Sequence, residues 1–125
     1  MNLPTTAQLL ELFAAVEGST PVVRDAGALE SAVHRPHVTV FGEEAYPTLD
    51  LKAAALMDGL NRSHALLDGN KRLSLLAVIF VYHANGRSRC TLGADELHAL
   101  VLRVADEHLP VEDLAAVLAD AFTQP

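Results

Sequence analysis

The stretch NKRLSLLAVIFVYHA, residues 70–84, decides how this chain folds. Between Leu73 and Tyr82 only Ser74 is polar, over a length that suits a helix better than a strand. A helix apolar on all sides belongs at the centre of a bundle. Asn85-Gly86 is a strong stop at its end. The longest apolar run, residues 75–82, has eight members and is far too short to span a membrane.

Outward from this segment the pattern stays helical. Residues 6–17 read as a helix capped by Thr5 or Thr6, with Leu9, Leu10, Phe13 and Val16 on one side and Gly18 as its stop. Residues 25–34 form a short second helix, begun by Asp25 or Gly27 and closed by Pro36. A third runs over 49–63, with Leu49, Ala53, Leu56 and Leu60 on one face. Residues 95–105 and 111–122 give two more, the last with Pro110 at its first turn. Residues 37–47 differ: β-branched positions alternate and Gly42 offers a turn, which predicts a short β-hairpin or flap. The expected fold is all-α, a single domain over 1–125, with six helices around a buried central one.

Composition narrows the function. Half of the 125 residues are hydrophobic and 20% are charged, which excludes disorder as a description of the chain. The single cysteine allows no internal disulfide, and with no basic leader a cytoplasmic location is expected. The net charge of −7 argues against nucleic acid as a partner. That charge is uneven: net −5 over 1–59, +4 over 60–89 and −6 over 90–125. A cationic middle in an acidic chain points to a small, highly charged anion.

The chemistry is concentrated in residues 64–72, HALLDGNKR. This polar loop joins two apolar helices, and the second begins at Asn70 with backbone N–H groups that lack intrahelical partners. Gly69 allows a close backbone approach. Lys71 and Arg72 sit in a first turn, where cations oppose the helix dipole, so an anion such as phosphate would relieve them. Asp68 suits Mg²⁺, a hard cation that takes one or two carboxylates with phosphate oxygens. His64, with a reference pKa of about 6.5, suits a general base for a hydroxyl. Leu66 and Leu67 are expected to anchor the loop in the core. Together these groups suggest phosphoryl or nucleotidyl transfer.

Residues 64–72 resemble the signature of the Fic/Doc family, His-x-Phe-x-Asp/Glu-Gly-Asn-x-Arg. The Asn-Lys-Arg ending, the short chain and the helical reading resemble its Doc branch, the toxins of toxin–antitoxin pairs. The resemblance implies His64 as the catalytic base, Asp68 as the Mg²⁺ ligand, and Gly69 and Asn70 as the anion hole, with the Asn70 side chain also on phosphate. Lys71 and Arg72 would contact the phosphates of ATP. The flap at 37–47 would align the target by strand addition. The implied activity is phosphoryl transfer from ATP to a protein hydroxyl, with elongation factor Tu as the implied target and translation as the process halted.

Departures from the signature shape the alternatives. The family's Phe is Leu66 here, and a position that is often Pro is Ala65. Adenylylating members carry Gly before the Arg and a second Arg three residues later; Lys71 and Leu75 occupy those places, which resembles Doc. Gly69 is the residue of the wider family, where the Doc prototype has Ala. AMP transfer is therefore the alternative activity, and a helical binding module without catalysis is a further one. An inhibitory Ser/Thr-x-x-x-Glu-Gly/Asn motif is absent, because Phe13-x-x-x-Glu17-Gly18 lacks the hydroxyl. An antitoxin on a separate chain is thus expected. His34 and His37 are separated by Pro36 and are not expected to share a metal, and His98 is expected at the surface. A helix-turn-helix in 95–122 is disfavoured by the acidity there.

Overall fold

The helix that precedes the apolar one, and not the apolar one itself, forms the centre of the molecule. In the computed structural model, which describes residues 1–125, the helices are α1 (Thr6–Glu17), α2 (Ala26–His34), α3 (Leu49–Ser63), α4 (Asn70–Ala84), α5 (Ala94–Glu107) and α6 (Val111–Ala121). The expected all-α, six-helix fold is present. However, α3 is buried continuously from Lys52 to Asn61, whereas α4 leaves Leu75, Leu76, Ile79 and Phe80 partly exposed. The cause is side-chain size. Ala53, Ala54, Ala55 and Gly59 give α3 flat sides on which α2, α4, α5 and α6 all pack. A Cβ on Gly59 would already stand 3.6 Å from the Ala32 backbone.

The charges of α3 disguise its burial in the sequence. Lys52 donates to the Pro36 carbonyl at 3.2 Å and to Glu44 at 2.9 Å. Asp58 accepts from Arg35 at 2.6 Å and from Arg62 at 2.9 Å. Both buried ions are thereby paired, as buried ions must be. Burial pulls the Arg35 guanidinium down, but hydrogen bonds to Asp58 and Tyr46 outweigh it and hold the group above its ordinary pKa.

Local chemistry sets the helix starts. Thr5 and Gln8 form a capping box on α1, Asp25 caps α2 through the Ala28 N–H, and Thr48 caps α3 through the Leu51 N–H. On α1, Leu9 and Phe13 are buried but Val16 is exposed, so its apolar side is shorter than the spacing suggested.

After α2, a 3-10 turn at Arg35–His37 leads into a hairpin of β1 (Thr39–Val40) and β2 (Glu43–Glu44), within the expected flap. Phe41 and Gly42 both have positive φ, which fits a two-residue hairpin turn. The 3-10 turn also brings two histidines together. It holds positions three apart on one side, so the rings of His34 and His37 come within 5.8 Å despite Pro36. No group of three or more potential metal ligands occurs in the molecule.

A second strand pair, β3 (Arg89–Cys90) with β4 (Phe122–Thr123), was not foreseen, because Phe122 continues the helical apolar pattern. It leaves α6 to stack on Tyr82, with ring centroids 4.4 Å apart. The Tyr82 hydroxyl donates to Asp50 at 2.6 Å, and Arg87 pairs with the same carboxylate at 2.9 Å. Burial first, then Asp50, push the Tyr82 phenol well above its ordinary pKa. No helix is long and apolar enough to cross a membrane.

Tyr82→Phe keeps the stack and loses one hydrogen bond to a charged acceptor, so urea unfolding at pH 7 should show a loss of about 1.5–3 kcal/mol. The phenol holds its proton more tightly in the fold than in the unfolded chain. Wild-type stability should therefore be intact below the unfolded tyrosine pKa of about 10 and fall as pH rises above it. Urea titrations carried above about pH 10 should show a larger alkaline loss in the wild type than in Tyr82→Phe.

Candidate active site

His64 ends α3 with a left-handed backbone, φ 47° and ψ 36°. A side chain in that conformation costs about 1–2 kcal/mol. Neighbouring residues hold it there. Arg24 donates to the His64 carbonyl at 2.7 Å, and the Arg24 and Asp25 N–H groups both donate to the Ala65 carbonyl, at 2.8 and 3.1 Å. The Leu67 N–H donates to Val22 at 2.9 Å. The loop is therefore stitched to residues 22–25, a long-range contact that no spacing announces. Leu66 is fully buried, but Leu67 is 64% exposed. The expectation that both leucines anchor the loop is corrected for Leu67: Ala65 and Leu66 are buried, and the chain bends at Leu67 and Asp68, which leaves both of those side chains exposed.

The start of α4 is built by Gly69 and Asn70. Gly69 has φ +95°, and a Cβ there would stand 2.7 Å from the Phe13 ring. The helix start carries no side-chain cap, so its N–H groups keep their positive end free for an anion. The Asn70 side chain is already engaged: its Oδ1 accepts from the Leu66 N–H at 2.9 Å and its Nδ2 donates to the Leu66 carbonyl at 3.0 Å. In this arrangement Asn70 presents its backbone N–H, and not its amide, to the helix mouth.

His64, Asp68, Gly69, Asn70, Lys71 and Arg72 all line one cavity of about 490 Å³. The structure thus brings together all six candidate site residues of the 64–72 stretch, in a space of ordinary size for a small-molecule site. The other wall comes from α5, through Ala94, His98 and Val101. His98 is exposed, as expected, but it borders this cavity. The signal was the spacing of four and then three residues, which puts all three on one side of a helix.

Four of the five cations in the middle block are paired with acids. Lys71 lies 3.8 Å from Asp106, Arg72 lies 3.1 Å from Glu17 and 3.2 Å from Asp68, Arg62 pairs with Asp58, and Arg87 with Asp50. The raw count of +4 overstated the free positive charge. The pairs of Lys71 and Arg72 are half exposed and so hold weakly. Glu17, set aside in the sequence for lack of a hydroxyl at Phe13, reaches Arg72 nevertheless. Asp68 is a single carboxylate, 91% exposed, with no second acid beside it in a ligand cluster. That donor set suits a Mg²⁺ ion that enters with phosphate oxygens.

A model of the Fic/DOC family matches residues 5–82, more than half of the chain. The chain belongs to the Fic/DOC family. Members of this family are transferases that act on proteins. The match spans α1 to α4 and the whole of 64–72, but not the α5 wall. Over 98 residues the chain is also 44% identical to Toxin Doc of Mycolicibacterium smegmatis, covering 78% of this chain and 75% of that protein.

The contact between Phe13 and Gly69 gives a direct check. Gly69→Ala should lower stability by about 1–3 kcal/mol through left-handed strain and overlap with the ring. Adding Phe13→Leu should recover part of that loss, and a double-mutant cycle by chemical denaturation measures the coupling.

Proposed function

We propose that this protein is a Doc-type toxin that transfers the γ-phosphoryl group of ATP to a hydroxyl of a protein target, with elongation factor Tu as the target implied by the Doc branch. One observation carries this reading: the His64 side chain and the uncapped start of α4, with Lys71 and Arg72, border the same cavity. The name of the relative, Toxin Doc, supports the toxin role.

In this reading His64 takes the proton of the incoming hydroxyl, whose oxygen attacks the γ-phosphorus. The bond to the β-phosphate oxygen breaks and ADP leaves. The backbone N–H groups of Asn70 and its neighbours, with Lys71 and Arg72, stabilise the charge on the phosphates. Bound Mg²⁺ supplies charge neutralisation, with Asp68 as the residue that would hold it. Phosphate oxygens then replace Glu17, Asp68 and Asp106 as partners of the two cations. The nucleoside lies toward α5, against Val101 and beside His98. The flap offers exposed strand edges for the target, and Phe41 at its tip is fully exposed. An antitoxin on a separate chain restrains the enzyme in the cytoplasm.

Leu75 occupies the place where adenylylating relatives carry a second Arg, and it borders the cavity as an apolar group. This favours phosphoryl over AMP transfer. Incubation with Mg²⁺, elongation factor Tu and ATP labelled at the α- or the γ-phosphate tests the choice. The γ-label alone should move to the target, and His64→Ala should reduce transfer by roughly 100-fold or more. Movement of the α-label would establish adenylylation instead. ATP binding with no transfer of either label would leave a binding module.

A further inference from the structure

Asn61 stands on the last turn of α3, is only 5% exposed, and borders the cavity that His64 also borders. Its Nδ2 donates to the Met57 carbonyl at 2.9 Å. This fixes the orientation of the amide, since the reverse would set two oxygens against each other. The Oδ1 atom is left buried with no donor from the chain. A buried acceptor without a donor costs about 1–3 kcal/mol, and such a group in a native fold demands an explanation.

His64 has the complementary deficit. Its carbonyl accepts from Arg24, but its exposed ring makes no hydrogen bond to the chain. The two residues are three apart in sequence and border the same cavity, and the exposed imidazole is free to rotate toward the amide.

We propose that Asn61 is a positioning residue for His64: its Oδ1 accepts from the imidazole Nδ1–H. A neutral imidazole carries one proton, and the partner of one nitrogen decides the state of the other. With Nδ1 protonated and held, Nε2 is bare and faces the target hydroxyl. The proton from that hydroxyl goes to Nε2, and the resulting imidazolium keeps Asn61 as its acceptor. This inference rests on the reading of His64 as the base.

Nitrogen-15 NMR of the histidine rings at a pH where His64 is neutral tests it without any need for activity. The wild type should show His64 protonated at Nδ1, and Asn61→Leu should shift it to Nε2–H. In the transfer assay Asn61→Leu should lower kcat by roughly 10- to 100-fold while the KM for ATP changes less than about twofold. Asn61→Asp, which keeps an oxygen acceptor, should retain the Nδ1–H form and most of kcat. Because the first measurement is made on the wild type, it stands even if a variant fails to fold. A wild-type Nε2–H ring, or a tautomer unmoved by Asn61→Leu, overturns the proposal and spares the base assignment if His64→Ala is inactive. Full activity of His64→Ala overturns both, since nothing is then left to position.

Discussion

Leu66 is buried in a loop, and both of its backbone polar groups are taken by a single side chain, that of Asn70. Each of those groups would cost on the order of 1–3 kcal/mol if buried unpaired, so the loop has few alternatives to this conformation. Much of the site follows from the clamp. It joins the start of α4 to the peptide just after His64. It leaves Gly69 to turn the chain with a left-handed backbone, and Asp68 to face solvent. Gly69, which has no side chain, stands at the cap position, so the helix also starts without a side-chain cap. The clamp at Leu66 and the turn at Gly69 thus shape the uncapped helix mouth together.

Charge is held in balance around that mouth. Lys71 and Arg72 are unfavourably placed for the dipole of α4, and the fold answers with Glu17 from α1, Asp106 from α5 and Asp68 from the loop itself. Lys71 and Arg72 are themselves half exposed, and pairs of that kind contribute little to stability. In the proposed reading a polyphosphate would bring more charge, so exchange of these carboxylates for phosphate oxygens would cost the fold little. Phe13 ties the system together. Its ring lies 5.8 Å from the Arg72 guanidinium and fills the space that a Cβ on Gly69 would need. An acidic chain therefore gathers two cations at a helix mouth without a basic surface.

What was legible in the sequence was what local chemistry decides. Thr5 and Asp25 cap helices where their side chains suit the position, and residues 64–72 carry their chemistry in contiguous order. What escaped depended on distant partners. The pairing of residues 22–25 with the loop joins segments forty residues apart, and nothing in PVVRD announces it. The central place of α3 was masked by Lys52 and Asp58, whose neutralising partners lie on other elements. The α5 wall was missed because Ala94 and Val101 look like ordinary core positions and His98 like surface. Leu67 was misjudged because hydrophobicity marks a residue for burial, while the bend at residues 67–68 leaves both side chains in solvent.

Violations of local preference are common in folded chains, and their placement is more informative than their number. Three residues other than glycine have positive φ: Phe41, His64 and His108. His108 simply ends α5, and Phe41 turns a hairpin in solvent, so neither needs a further cause. His64 differs because other conflicts gather around it. Within twelve residues stand a buried acceptor with no donor at Asn61, a left-handed histidine, a helix with no cap, and two cations at the wrong end of a dipole. Elsewhere α6 starts without a side-chain cap and the Thr6 hydroxyl is buried without a partner, but each of these stands alone. A fold whose conflicts gather at one corner has that corner shaped for something other than stability. Each conflict there is also of a kind that a hydroxyl, a phosphate or a reoriented imidazole would resolve.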